Sequence, residues 1–313
     1  MKRWRGPRTI VQVAGLLALV VLPLAGLLRI DFARGALLLL GREVGLRDFA
    51  AVCGLAIIAA AAPLLTYSTI GMAWCGWACP QGTLAEWADR WTHRLLGSRA
   101  DVRVEGEGLR VAPSRNRVGN WILFVAGLLA ASLLLGAIPL FWFLSPADIG
   151  NLLSGQADQQ FATFMARLYI VFAVAVLVDI AVLRHFWCDY LCLYRYGMLL
   201  FRAGDGLHVR HDGTRSSECT KCRACAVACV TRIEPTNIGR FDRCIDCGEC
   251  IDACTALHER RGNGTSLLSF HDAGLRRPGV SGWMRVLPRR LGIPGILTAA
   301  GIALLAWGLR GGA

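Results

Sequence analysis

The chain of 313 residues could hold two domains, but 55% of it is apolar and only 18% charged. With a mean hydropathy of +0.46, that balance excludes an ordinary soluble globule and points to a membrane protein. The net charge of +12 would suggest a nucleic-acid partner in a soluble chain; here the basic residues flank apolar stretches, so the charge reads as membrane topology and no nucleic acid is expected.

Five segments, about 10–28, 50–73, 119–143, 164–183 and 291–309, are apolar enough to cross roughly 30 Å of hydrocarbon. The first follows a basic start, yet no small-x-small cleavage site precedes Arg29, so a retained anchor is predicted rather than a signal peptide. The second ends at Trp74-Cys75-Gly76-Trp77-Ala78-Cys79. Pro80 then opens a helix with Leu84, Trp87, Trp91 and Leu95 opposite Glu86, Arg90 and Arg94, expected as an anchor in the membrane interface. The polar stretch from Gly97 to Arg117 carries Arg99, Arg103, Arg110 and Arg115, whereas residues 144–166 contain Asp148 and Asp158 and no Lys or Arg. The positive-inside rule therefore places the N-terminus, the second loop and residues 185–290 in the cytoplasm, and the C-terminus outside.

The fourth span ends at Trp187-Cys188-Asp189-Tyr190-Leu191-Cys192, which repeats the first Trp-Cys-x3-Cys 113 positions further on. Spans one to four thus read as two copies of one unit, related by an axis along the membrane normal, with both cysteine pairs at one depth. The expected fold is a mainly α membrane protein with five transmembrane helices, four of them in two pseudo-repeats, and an inserted cytoplasmic α+β ferredoxin-like module. Its predicted domains are 1–203 (membrane domain), 204–290 (di-cluster module and connector) and 291–313 (last transmembrane helix).

Eight of the thirteen cysteines form two C-x2-C-x2-C-x3-C runs: Cys219, Cys222, Cys225, Cys229 and Cys244, Cys247, Cys250, Cys254. This is the ligand spacing of a two-cluster ferredoxin, in which the fourth cysteine of each run ligates the other cluster. One [4Fe–4S] cluster is expected on Cys219, Cys222, Cys225 and Cys254, the other on Cys244, Cys247, Cys250 and Cys229. A zinc site accounts for C-x2-C pairs but not for the third cysteine and the x3-C of each run. In a reducing compartment these thiols stay free, which argues against a disulfide framework.

The membrane pairs Cys75, Cys79 and Cys188, Cys192 are spaced i, i+4, so each pair shares a helix face, and two pairs can supply four soft thiolates as a metal or catalytic site. Three occupancies stay open: copper as Cu(I), a third iron–sulfur cluster or other redox cofactor, and a thiol–disulfide or structural role. Bis-His haem is disfavoured, because all six histidines lie outside the spans. Asp179, inside span four, reads either as functional or as a partner for Arg184.

With these residues laid out, the chain resembles the cytochrome c oxidase accessory family called CcoG, FixG or RdxA, with a more distant likeness to the NapH and NosR membrane ferredoxins. The resemblance runs through Arg29-Ile30-Asp31, Cys75-Gly76-Trp77-Ala78-Cys79-Pro80-Gln81, Cys188 to Cys192, both ferredoxin runs, and the stretch Cys244-Ile245-Asp246-Cys247-Gly248-Glu249-Cys250-Ile251-Asp252-Ala253-Cys254. It implies a bacterial inner-membrane protein that reduces Cu(II) to Cu(I) for assembly of a copper–haem terminal oxidase, with copper handled at the C-x3-C cysteines and oxidase-assembly or copper-handling proteins as partners. The electron donor stays unassigned. The chain departs from the family in ending after span five, where its relatives continue into an outer immunoglobulin-like domain, and in having Leu193, Val230 and Thr255 at positions that follow ligand-type cysteines. Two rival roles remain: a NapH-like electron-carrier subunit serving a periplasmic enzyme, and a redox sensor or assembly scaffold that turns over nothing.

Overall fold

Apolar helices dominate the computed structural model, which describes residues 4–31, 35–45, 48–97, 111–200, 207–239, 242–262, 265–272 and 280–311. In chain order, α1 (Arg5–Leu24) leads into strands β1 (Leu28–Asp31), β2 (Ala36–Leu39) and β3 (Arg42–Gly45), then α2 (Phe49–Ile70) and α3 (Pro80–Leu96). Next come α4 (Val118–Gly136), α5 (Ile138–Phe141), α6 (Pro146–Leu153), α7 (Gln159–Val178), α8 (Arg184–Phe186) and α9 (Leu193–Leu200). Strand β4 (Leu207–His211), helices α10 (Ala224–Ala228) and α11 (Glu249–Arg261), strand β5 (Leu268–Asp272) and α12 (Val280–Gly311) complete the order. Arg99, Arg103, Arg110, the expected 203/204 boundary and residues 273–279 of the connector lie outside the described residues.

Among the described residues, five helical stretches are long and apolar enough to cross a membrane: Arg5–Leu24, Phe49–Ile70, Val118–Phe141, Gln159–Leu183 and Leu291–Arg310. Their outward faces are apolar too: Ile122, Leu123 and Leu134 on α4 and Ile170 and Val171 on α7 are all exposed. A helix apolar on all sides needs lipid or protein around it, not water. The first span begins earlier than its apolar run, because Arg5 and Arg8 are helical as well.

The chain divides into two compact units: Met1–Ala14, Cys53–Thr83 and Cys192–Leu305 form the first, and Gly15–Val52, Leu84–Leu191 and Ala306–Ala313 the second. In the first, β4 and β5 pair antiparallel, with His208 opposite His271, over a core of Val209, Cys250, Ile251 and Leu268. Helices α2 and α12 approach through glycines: a Cβ on Gly54 would lie 2.5 Å from the Leu305 nitrogen, and one on Gly301 2.9 Å from the Ile58 side chain. Small residues allow this close backbone approach where no aqueous hydrophobic effect drives helices together.

In the second unit α4 packs on α7, where a Cβ on Gly136 would come within 2.7 Å of Ala173 Cα. The core of Ala88, Leu128 and Ile180 also takes in Leu84 and Trp87, and Trp87 stacks on Trp91 at 6.1 Å. Leu84 and Trp87, on the apolar face predicted for α3, are thus half-buried against α4 and the end of α7. Glu86, expected on the outward face, is buried as well. Arg184 is buried and pairs with Asp89 at 3.0 Å, donating also to Thr92 Oγ1 and the Ile180 carbonyl.

Between the first two spans, β1, β2 and β3 form an antiparallel sheet. Leu40 (φ 50°) and Gly41 (φ 76°) make its two-residue hairpin, the left-handed pair that matches strand twist. The acidic residues of 144–166 are helix caps: Ser145 and Asp148 form a capping box on α6, and the Asp158 carboxylate accepts from Gln160 and Phe161 at the start of α7.

Candidate functional site

The α-helix of span two ends at Ile70, Gly71 takes φ +71°, and Trp74–Ala78 forms a π-turn. The Cys79 N–H reaches the Trp74 carbonyl at 2.9 Å, five residues back. Span four ends the same way, with π-turns at Asp179–Leu183 and Trp187–Leu191. Single π-turns are rare and concentrate at functional sites. The i, i+4 spacing predicts one face of an α-helix; the chain instead leaves the helix at Cys79, which is extended (φ −66°, ψ 122°) because Pro80 follows it.

That turn sets Cys79 at the start of α3, where the backbone N–H groups of Gln81 and Gly82 favour its thiolate; burial outweighs them and holds the thiol above its ordinary value. The Cys75 thiol is pushed up to about 12, chiefly by burial and then by Cys79 and Cys192, with Arg195 opposing. Cys75, Cys79 and Cys192 therefore share one neighbourhood in the first unit. Cys188 sits on the Trp187–Leu191 turn, in the second unit.

The two ferredoxin runs adopt matching turns. Lys221 (φ 52°) and Arg223 (φ 57°) are left-handed on either side of Cys222, as are Asp246 (φ 50°) and Gly248 (φ 80°) around Cys247. Each turn feeds a helix: α10 carries Cys225 and ends at the extended Cys229, and α11 carries Cys250 and Cys254. A cavity of about 480 Å³ is lined by Cys219, Cys222 and Cys225 of the first run together with Cys254 of the second, and by His211 and His258. The remaining thiols form a second group, in which Cys247 and Cys250 each feel Cys229, and Cys244 feels Cys247 and Cys250.

Burial is the first cause that raises three of these thiols: Cys247 is pushed up to about 12, with Arg8 opposing, and Cys244 and Cys250 are raised strongly. Such thiols keep their protons until a cation takes the protons' place. Soft sulfur donors grouped in fours, one group around a cavity, fit an iron–sulfur group. Among the described residues no three Cys, His, Asp or Glu side chains stand close enough to hold a single metal ion.

Within the first unit the second run is locked onto the Trp74–Ala78 turn. A Cβ on Gly76 would meet the Ile245 carbonyl oxygen at 2.2 Å, and Trp77 Nε1 donates to the Asp246 carbonyl at 3.0 Å. The Asp246 carboxylate accepts from Met72 N at 3.0 Å and Val209 N at 3.2 Å; burial raises this carboxyl, and those two N–H groups oppose the shift. Arg8 donates from Nε to the Gly76 carbonyl at 2.6 Å and pairs with Glu249 at 3.3 Å. The Asp252 carboxylate takes the Trp4 and Arg5 N–H groups at the start of α1. Sequence reasoning missed Arg8, Asp246, Glu249 and Asp252, which look like flanking charges and run spacers; the sole signal was Asp246 inside the Cys-Ile-Asp-Cys turn.

A family model described as a 4Fe-4S binding domain matches residues 54–99 and 165–192, and one described as a 4Fe-4S dicluster domain matches residues 204–273. RdxA of Cereibacter sphaeroides is 28% identical over 299 residues, 88% of this chain and 61% of that protein. The methylamine utilization ferredoxin-type protein MauN of Methylorubrum extorquens is 31% identical over 241 residues, 73% of this chain and 75% of MauN. The chain belongs to the RdxA/FixG family of membrane 4Fe-4S ferredoxin-type proteins. The nitrogen fixation protein FixG of Rhizobium meliloti is 25% identical over 249 residues, 73% of this chain and 45% of FixG. This family member thus spans about three fifths of RdxA and under half of FixG. No solved structure matches it. Both matched domains are of 4Fe-4S type.

Proposed function

We propose that the di-cluster module, facing the cytoplasm, delivers electrons to a thiol site that includes Cys75, Cys79 and Cys192 of the first unit, and that this site takes Cu(II) as substrate and releases Cu(I). The observation that carries the reading is the joint between Gly76-Trp77 and Ile245-Asp246, where backbone meets backbone. Bound [4Fe–4S] groups supply one-electron transfer, and each Cu(II) takes one electron. Cys219, Cys222, Cys225 and Cys254 would hold one such group, and Cys244, Cys247, Cys250 and Cys229 the other. Asp246 and Arg8 fix the distance from the second group to Cys75, and soft thiolates favour Cu(I) over Cu(II). The family resemblance makes the assembly of a copper–haem oxidase in a bacterial inner membrane the destination of that copper. Matching π-turns at the ends of spans two and four support the two-repeat organisation of 1–203, with 204–290 as the module and 291–313 as the last span.

Two observations favour other readings. The 4Fe-4S binding domain matched at 54–99 and 165–192 includes all four C-x3-C cysteines, which favours a third cluster there. The identity with MauN, a ferredoxin-type protein of methylamine utilization, favours an electron-carrier subunit serving another enzyme.

The deciding experiment is the Cys75→Ser/Cys79→Ser protein, purified in detergent, reduced, freed of reductant and mixed with Cu(II). Copper reduction is expected to be abolished while iron stays at about eight per chain, as two [4Fe–4S] groups require. A fall from about twelve irons to about eight assigns a third cluster instead. Unchanged copper reduction and iron leave the pair a structural role.

A further inference from the structure

Buried polar atoms in native proteins have hydrogen-bond partners, so one that lacks a partner needs a reason. Among the described residues four buried side-chain atoms lack one: Arg29 Nε, Trp91 Nε1, His211 Nε2 and His258 Nδ1. Two of the four belong to histidines on the wall of the same cavity, the one lined by Cys219, Cys222, Cys225 and Cys254. His258 is 5% exposed and stands one turn after Cys254 on α11, on the same helix face. His211 ends β4, so a strand and a helix each bring an imidazole to the four thiols. A nitrogen orphaned beside a set of soft ligands is explained if its partner is what those ligands hold.

We propose that His211 Nε2 and His258 Nδ1 donate N–H hydrogen bonds to the sulfur of the iron–sulfur group held by Cys219, Cys222, Cys225 and Cys254, and so raise the reduction potential of that group. Reduction adds negative charge to the cluster and its thiolates. Donors aimed at sulfur stabilise the reduced state more than the oxidised one, so hydrogen bonds around a cluster raise its potential. The two histidines are positioning residues in this role, and the iron is left to the cysteines. The inference rests on the assignment of those four cysteines to one cluster.

The test is a redox titration of the purified full chain followed by EPR, with iron analysis, for His211→Leu, His258→Leu, His258→Gln and Cys222→Ser. The leucine variants are expected to keep their iron and to shift one EPR signal, the one lost in Cys222→Ser, to a more negative potential. The glutamine variant, which retains an N–H donor, should recover part of that shift. In the unmodified protein grown with 15N-histidine, pulsed EPR should show the weak nitrogen coupling of a hydrogen-bonded ring, a readout independent of how the variants fold. Retention of every signal in Cys222→Ser overturns the ligand assignment and the proposal with it. Loss of that signal with unmoved potentials in both leucine variants overturns the hydrogen bonds alone, as does an absent nitrogen coupling or the strong coupling of an iron-bound nitrogen.

Discussion

Trp77 donates its indole N–H to the backbone carbonyl of Asp246 at 3.0 Å, and this bond ties the turn that carries Cys75 and Cys79 to the turn that carries Cys244 and Cys247. The Asp246 side chain works from the other direction, taking the Met72 and Val209 N–H groups into one carboxylate. Two stretches far apart in sequence, the end of span two and the second ferredoxin run, are joined through Asp246. A site that must pass electrons needs that fixed separation more than it needs further ligands.

Asp246→Ala removes the acceptor for two backbone N–H groups, one of them buried, and each orphaned donor costs roughly 1–3 kcal/mol. A loss of stability of about 2–4 kcal/mol follows, visible as a lower unfolding midpoint in detergent. Asp246→Asn keeps one acceptor oxygen and tolerates the left-handed φ of 50°, so it should lose less. Equal stability of all three proteins would remove the clamp from the argument.

Gly76→Ala is a sharper probe of the joint, because the added methyl would sit 2.2 Å from the Ile245 carbonyl oxygen. Both neighbours are backbone, so one turn has to move. Copper reduction should fall at least tenfold while iron content stays at the wild-type level. Wild-type copper reduction in this variant would show that electrons reach their acceptor by another route.

Spans and ligand runs were legible in the sequence because each is written in a single property: apolarity on every side for the helices, cysteine spacing for the clusters. The site's supporting structure is not written that way. Trp-Cys-x3-Cys looks like one α-helical turn, and only the fold shows the π-turn and the extended Cys79. Strands β1 to β3 are four residues each with no clear alternation, so no sequence pattern marks the sheet. Glu86 has the helical phase of Arg90 and Arg94, and nothing local signals that tertiary packing buries it. Arg8 counts as a flanking charge until the fold brings the Gly76 carbonyl to it.

The thiols differ in burial, and this sets an order of reaction. Thiolate attacks iodoacetamide and displaces iodide, and below its pKa a thiol loses roughly tenfold in thiolate for each pH unit. In iron-free protein at pH 7, exposed Cys222 should be modified first, and Cys75 and Cys247, both pushed up to about 12, among the last. Raising the pH toward 12 should speed the slow pair, because the folded pKa is raised and thiolate accumulates only as pH approaches it. Mass spectrometry of timed samples gives the order; equal rates for Cys222 and Cys247 would contradict it.

Topology rests on the arginines of the second loop and the Lys/Arg-free 144–166 loop. An alkaline phosphatase fusion at Gly264 should be inactive and one after Gly311 active, since the enzyme matures only outside the cytoplasm. The reverse pattern would move the module to the oxidising side of the membrane, where eight free thiols are hard to maintain.

Crossed ligation makes the least intuitive demand. By sequence Cys254 closes the second run, but it lines the cavity of Cys219, Cys222 and Cys225 and is felt by Cys225, while Cys229 is felt by Cys247 and Cys250. Cys254→Ser should therefore weaken the same EPR signal as Cys222→Ser and spare the one lost in Cys247→Ser; Cys229→Ser should do the opposite. The two serine variants exchange their effects if each run binds its own cluster. A thiolate-to-alkoxide change at one corner keeps the chain and its packing close to native, so the loss reads ligation rather than unfolding, provided the other cluster's signal and about four irons per chain persist.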